Sequence, residues 1–269
     1  MTELRHEEKT SVLRGLIYKV RNELKGGWSE EVYHQALVYA LRDCGIPCAS
    51  KPRRPFSHRG VEVHLFEPDL IIWDTIIAEF KVLPYQKEFA GKHFSQLIHY
   101  LKFWQMDLGL LVNFAPPKVK IKRVIWDEPE LEVDEDYDRI KFHMSKQDKV
   151  SLRQIRHYIL TLARQYGLGY PETMYRKLMA VETAHDHVSC ISNVGITPTW
   201  NGRKLPRHAT QHLCIADNYL VHIRSLLEYP TAYDFTTTKT YLAACGLNFG
   251  LVVNFGSHQL QIYGVKSDK

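Results

Sequence analysis

Three segments of this chain occur twice, in one order and at nearly one spacing, and this constrains the fold more than any single motif. LGLLVNF (108–114) recurs as FGLVVNF (249–255), GWSEEVY (27–33) as GYPETMY (169–175), and TIIAEFKVL (75–83) more loosely as NYLVHIRSL (218–226). The offsets are 141, 142 and 143 residues. One apolar strand can match by chance; three collinear matches predict a duplicated domain. A length of 269 residues is comfortable for two domains. Between the halves lies DEPELEVDEDYD (127–138), eight acids in twelve residues. Such a run reads as a solvated linker, although its Leu131 and Val133 could form a short edge strand. The expected division is 1–126, an acidic linker at 127–148, and 149–269.

Each half reads as helices and strands in mixed order. In the first, Leu13, Ile17, Val20 and Leu24 have helical spacing, stopped by Gly26-Gly27. Ser29 is placed to cap a second helix over 30–43. Strands are expected at 60–66, 69–73 and 76–82, a helix at 88–105, a buried strand at 108–113 and a basic strand at 118–125. The predicted class is α/β with a mixed α+β sheet: two tandem domains, each with helices flanking a small central sheet.

Composition narrows the setting. The five cysteines form no CxxC pair and are odd in number, which argues against a disulfide framework or a thiolate zinc site. A reduced, cytoplasmic location is the expectation. The start, MTELRHEEKT, has no apolar core of the kind a signal peptide carries. No apolar run approaches the ~20 residues of a membrane helix, so no membrane partner is expected. The formal net charge of +5 permits an anionic partner without requiring one.

The chemistry concentrates in FEPDLIIWDTIIAEFKVL (66–83), an apolar hairpin that holds Asp69, Glu79 and Lys81. Buried charges are costly unless paired or bound to a metal. Trp73-Asp74-Thr75 is the expected turn, which sets Asp69 and Glu79 on adjoining strands near one end. Strand alternation puts Glu79 and Lys81 on one face and Phe80 on the other. Two facing carboxylates repel, and a divalent cation such as Mg²⁺ removes the repulsion. A plain salt bridge at a sheet edge is the competing explanation. Glu30, just after Gly27, could add a third carboxylate, and Gln96 and Tyr100 share a helix face at i and i+4.

These residues resemble a known family. EPD (67–69) followed by EFK (79–81) is similar to the pattern of the PD-(D/E)xK, restriction-endonuclease-like nucleases. QLIHY (96–100) resembles the QxxxY motif of their RecB and lambda-exonuclease branch, and GWSEEVY matches the GxxExxY signature of a small family on that fold. The resemblance implies two tandem restriction-endonuclease-like domains. It implies hydrolysis of phosphodiesters in nucleic acid, with DNA taken ahead of RNA, and Mg²⁺ or Mn²⁺ as cofactor. Asp69, Glu79 and Glu30 would be metal ligands, Lys81 would position water and stabilise charge, and Gln96 and Tyr100 would support them.

The second half lacks this set. His222 falls at the Glu79 position, Arg224 at Lys81, His212 (or Gln211) at Asp69 and Thr237 near Gln96, while Glu172, Tyr175 and Tyr241 persist. The expectation is a degenerate, inactive repeat that serves binding or mimics a dimer. A softer-metal site of Glu172, His212 and His222 is a further reading, since imidazole suits zinc. Lys51, Arg53, Arg54 and Arg59 form a basic stretch with His58. Lys118, Lys120 and Lys122 alternate with Val119 and Ile121, and Arg123 follows. All are candidate phosphate contacts, against the alternative of ordinary edge protection. The alternative function is a non-catalytic nucleic-acid-binding or scaffold subunit of a larger defence or repair assembly.

Overall fold

The computed structural model describes residues 5–84, 88–256 and 258–268. The chain divides into two units. One takes the chain to Phe56 and His64–Glu128; the other takes Ser57–Val63 and Pro129–Lys269.

The first half runs α1 (Glu7–Leu24), α2 (Glu30–Asp43), β1 (Cys48–Ser50), β2 (Arg54–His58), β3 (Val61–Phe66), β4 (Leu70–Ile72), β5 (Ile76–Lys81), α3 (Gly91–Trp104), β6 (Leu108–Asn113) and β7 (Lys120–Ile125). Leu13, Ile17 and Val20 give α1 one buried face, and Tyr33, Leu37, Val38 and Leu41 do the same for α2. Ser29 has the extended backbone of an N-cap, but its side chain makes no cap bond. The five-stranded sheet has the order β1-β4-β5-β6-β7, with β5 and β6 parallel and the other neighbours antiparallel. The central strand β5 is apolar on both faces, as a doubly covered strand must be. Ile76, Ala78 and Phe80 join the core of α1 and α2, whereas Ile77 joins the core that contains Leu97 and Leu101 of α3. Glu79 and Lys81 share the Ile77 face by alternation.

The second half repeats the plan. It contains β8 (Glu132–Asp136), α4 (Lys146–Tyr166), α5 (Glu172–His185), β9 (Cys190–Ser192), β10 (Gly195–Ile196), β11 (Thr199–Trp200), β12 (Arg203–Lys204), β13 (His208–Ala209), β14 (Leu213–Ile215), β15 (Tyr219–Arg224), α6 (Ala232–Cys245), β16 (Phe249–Phe255) and β17 (Gln259–Lys266). Its sheet order is β8-β17-β16-β15-β14-β9, with β15 and β16 parallel.

The shared segments are explained by shared packing. Tyr33 donates its hydroxyl to Lys25 O at 2.7 Å and stacks on Phe114 with ring centroids 4.6 Å apart. Tyr175 does the same with Gly167 O at 2.8 Å and Phe255 at 3.9 Å. Asn113 Oδ1 accepts from Leu83 N at 3.0 Å, and Asn254 Oδ1 from Leu226 N at 2.7 Å. The turns match too: Trp73-Asp74 and Ala216-Asp217 all have positive φ, the type I′ pattern of a tight hairpin.

The acidic stretch follows its alternative reading: Glu132–Asp136, which contains Val133, pairs in parallel with Gln259–Tyr263 as edge strand β8. Its charges are accommodated at a sheet edge: Glu135 binds Arg156 at 2.7 Å and Asp134 accepts from Tyr263 Oη at 2.5 Å. In the basic stretch, Arg54 opens β2, which pairs with β3.

Candidate active site

The three-residue turn Trp73-Asp74-Thr75 sets the register Leu70↔Ala78, Ile71↔Ile77 and Ile72↔Ile76. One step further along, Asp69 comes opposite Glu79. Asp69 lies just before β4, where its Oδ2 accepts the Phe80 backbone N–H at 2.7 Å. Glu79 is 2% exposed; Oε1 accepts from Lys81 Nζ at 2.7 Å, and Oε2 is buried with no hydrogen-bond partner. Burial first, and then the charge of Asp69, pushes the Glu79 carboxyl up to about 7. Glu30, at the first turn of α2, is also raised, by burial ahead of the opposing influence of Lys81 and the reinforcing one of Asp69. On α3, Gln96 Nε2 donates to Tyr100 Oη at 3.2 Å. Burial raises the Tyr100 phenol to about 12, and the nearby Glu79 charge adds to the rise.

The six residues singled out from the sequence are therefore electrostatically connected at one end of the sheet. Among the described residues, no three His, Cys, Asp or Glu side chains converge closely enough to hold a metal ion. The donor chemistry nonetheless fits a hard divalent cation. The set is all carboxylate, and the Glu79 oxygen that lacks a donor is an acceptor an ion would satisfy.

The basic residues scatter. Lys51 pairs with Glu31, Arg53 with Glu67 at 2.6 Å, and Arg54 lies 5.2 Å from the Phe103 ring centroid. Arg59 belongs to the second unit and binds Glu182 at 2.7 Å, beside His58. Lys118 and Lys122 are exposed and Lys120 lies 3.7 Å from Glu88, while the intervening Val119 is buried and Ile121 packs on the core. Arg123 instead binds Thr10 Oγ1 and Arg5 O.

At the corresponding place in the second unit the carboxylates and lysine are replaced by a buried polar network, in which His212 Nδ1 has no hydrogen-bond partner. The His212 and His222 rings stack with centroids 4.1 Å apart. Burial lowers them to about 3 and about 4, so both are neutral at ordinary pH. Thr238 Oγ1 lies 3.2 Å from His212 Nε2 and 3.4 Å from His222 Nδ1. The residue at this junction is Thr238, at the position of Leu97, while Thr237 stands at that of Gln96. Arg224 lies 3.4 Å from Glu172 and 3.1 Å from Asp234, a partner that sequence comparison missed. Among the described residues Glu172, His212 and His222 do not converge as a metal-holding cluster. Gln211 accepts from Arg176 at 2.8 Å. Tyr241 bonds His208 at 3.0 Å.

Comparison with protein families matches the PD-(D/E)XK nuclease superfamily over residues 7–124 and again over 149–265. No curated protein matches the chain. Among solved structures, the crystal structure of SSO0001 is similar at 18% identity, with a TM-score of 0.28 over 43% of this chain and 76% of that one. Among the described residues no helix is long and apolar enough to cross a membrane.

Proposed function

The chain belongs to the PD-(D/E)XK nuclease superfamily through both of its repeats, and from that premise we propose that the first repeat is a metal-dependent phosphodiesterase acting on nucleic acid, DNA ahead of RNA. We place it in the GxxExxY branch on the strength of GWSEEVY. The observation that carries the reading is Glu79: a nearly inaccessible carboxylate with one oxygen on Lys81, the other without a donor, and Asp69 across the register. A fold that needed only a salt bridge would not leave that oxygen bare.

Asp69, Glu79 and Glu30 would hold Mg²⁺ or Mn²⁺, which when bound supplies Lewis-acid polarisation of the phosphate and acidifies water. Lys81 brings a cation, held by Glu79, to the side where charge develops on the phosphoryl oxygens. Gln96 and Tyr100, already bonded to each other, offer an amide and a phenol to orient water or phosphate. The second repeat serves as a pseudonuclease for binding or dimer mimicry, because Arg224 and two neutral imidazoles offer no hard-cation site. Lys118, Lys120 and Lys122 are the retained candidates for phosphate contact.

The test is digestion of linear, circular and single-stranded DNA with Mg²⁺ or Mn²⁺. Asp69→Ala and Lys81→Ala are each expected to lose about 100-fold or more in rate. Activity that survives both substitutions rejects the mechanism.

A further inference from the structure

Between Asp186 and Asp217 the chain has no acidic residue, and Arg203, Lys204 and Arg207 fall together within that interval. The middle of the stretch is the hairpin β11–β12, in which Thr199 pairs with Lys204 and Trp200 with Arg203. Asn201 and Gly202 turn the chain with φ of 48° and 73°. A two-residue turn with both φ positive is the type I′ turn that Asn-Gly serves best. Directly opposed residues project to one face of an antiparallel pair, so Trp200 and Arg203 share a face and Lys204 takes the other.

Trp200 is 63% exposed. Arg203 and Lys204 are exposed too, with no ion-pair partner among the described residues. The base of the hairpin is built: Leu205 N donates to Pro198 O at 2.8 Å. The Arg207 side chain crosses Gly195 so closely that a Cβ there would lie 2.1 Å from Nε.

The first hairpin makes an instructive contrast. It has the same turn, at Arg59-Gly60 with φ of 48° and 79°. The residue in the place of Trp200 is His58, which is 3% exposed and bonded to Tyr166 and Glu182 inside the second unit. One copy of this device is covered and satisfied. The other presents a bare indole beside unpaired cations.

An indole face flanked by cations, with no acid in the segment, complements a flat π-surface strung on phosphates. In a duplex the base faces are stacked on one another and offer nothing to an indole; in a single strand they are free. We propose that the β11–β12 hairpin is a contact for single-stranded nucleic acid. Trp200 stacks on an unpaired base, and Arg203, Lys204 and Arg207 take the neighbouring phosphates. The assignment rests on the nuclease reading for the kind of polymer and deepens it to substrates with a single-stranded part.

Fluorescence anisotropy of labelled oligothymidylate with the full-length protein in EDTA tests this, with a duplex of equal length in parallel. Trp200→Ala is expected to weaken oligothymidylate binding about tenfold or more, with Trp200→Phe keeping most of the affinity. Arg203→Gln with Lys204→Gln should flatten the salt dependence by about 0.7 per charge removed. Duplex binding should change little in Trp200→Ala. Unchanged oligothymidylate affinity in Trp200→Ala overturns the proposal, as does an equal loss on both probes. Self-association that Trp200→Ala abolishes while oligothymidylate affinity stays constant also overturns it and assigns the hairpin to a second copy of the chain. Metal-free binding does not depend on cleavage, so a chain that binds through Trp200 but never cuts would sink the nuclease reading alone.

Discussion

Glu79 and His222 occupy equivalent strand positions, with His212 at the place of Asp69, and burial moves the protons of the carboxyl and of the two imidazoles in opposite directions. For Glu79 the folded carboxyl is raised to about 7 by burial and by Asp69. The folded state then holds a proton that the unfolded chain has already released. This contribution to stability is complete below the ordinary value of 4.5 and is lost as pH rises through about 7. Glu79→Gln is therefore expected to be more stable than wild type at about pH 8, on the order of 1–3 kcal/mol in denaturant titration, with the gap closing in mild acid. Added Mg²⁺ should stabilise the wild type and not the variant; equal stabilisation of both would remove Glu79 from the metal set. The two histidines are lowered by burial to about 3 and about 4. Their contribution is complete above the ordinary 6.5 and is lost as pH falls toward those values. Hydrogen-exchange protection in β14 and β15, relative to the intrinsic rate at each pH, should fall below about pH 6, and His222→Leu should reduce that acid response. An acid profile unaffected by the substitution would contradict the buried, neutral assignment.

Among the elements, helix-on-strand contact is what both repeats preserve. Gly109 of β6 and Gly250 of β16 recur at one offset because a helix crosses each closely. A Cβ at Gly109 would lie 2.8 Å from the Leu97 side chain, whereas one at Gly250 would lie 2.6 Å from the Leu220 backbone O. A side chain can yield and a central strand carbonyl cannot. Gly250→Ala is expected to cost about 1–3 kcal/mol and Gly109→Ala less, measured by thermal unfolding; the reverse order would contradict this account of the repeat. Much of the element plan was legible: 30–43, 108–113 and the turn at 73–75 follow from periodicity and turn chemistry. The two-residue strands of 195–209 were not, since they are too short to carry a pattern. Edge strand β8 was half hidden by its own charges, because acids signal solvent whether or not the backbone pairs. The candidate site was legible only as residue types at fixed spacing. Asp234 was missed because its role depends on which way Arg224 reaches, and no spacing encodes that.

For the whole chain, duplication separates what the fold needs from what chemistry needs. Tyr33 and Tyr175, Phe114 and Phe255, and Asn113 and Asn254 make matching contacts in both repeats. Asp69, Glu79, Lys81 and Gln96 do not persist, yet the sheet beneath them does. The second copy keeps the fold without that residue set. One active site per chain would also favour single cuts over paired ones. The most direct measurement is a time course on supercoiled plasmid with Mn²⁺ or Mg²⁺, comparing wild type, Lys81→Ala and Arg224→Ala. The account predicts that wild type and Arg224→Ala accumulate nicked circles before any linear product, and that Lys81→Ala is slower by about 100-fold or more. Cleavage that persists in Lys81→Ala but disappears in Arg224→Ala would place the chemistry in the other repeat and contradict it.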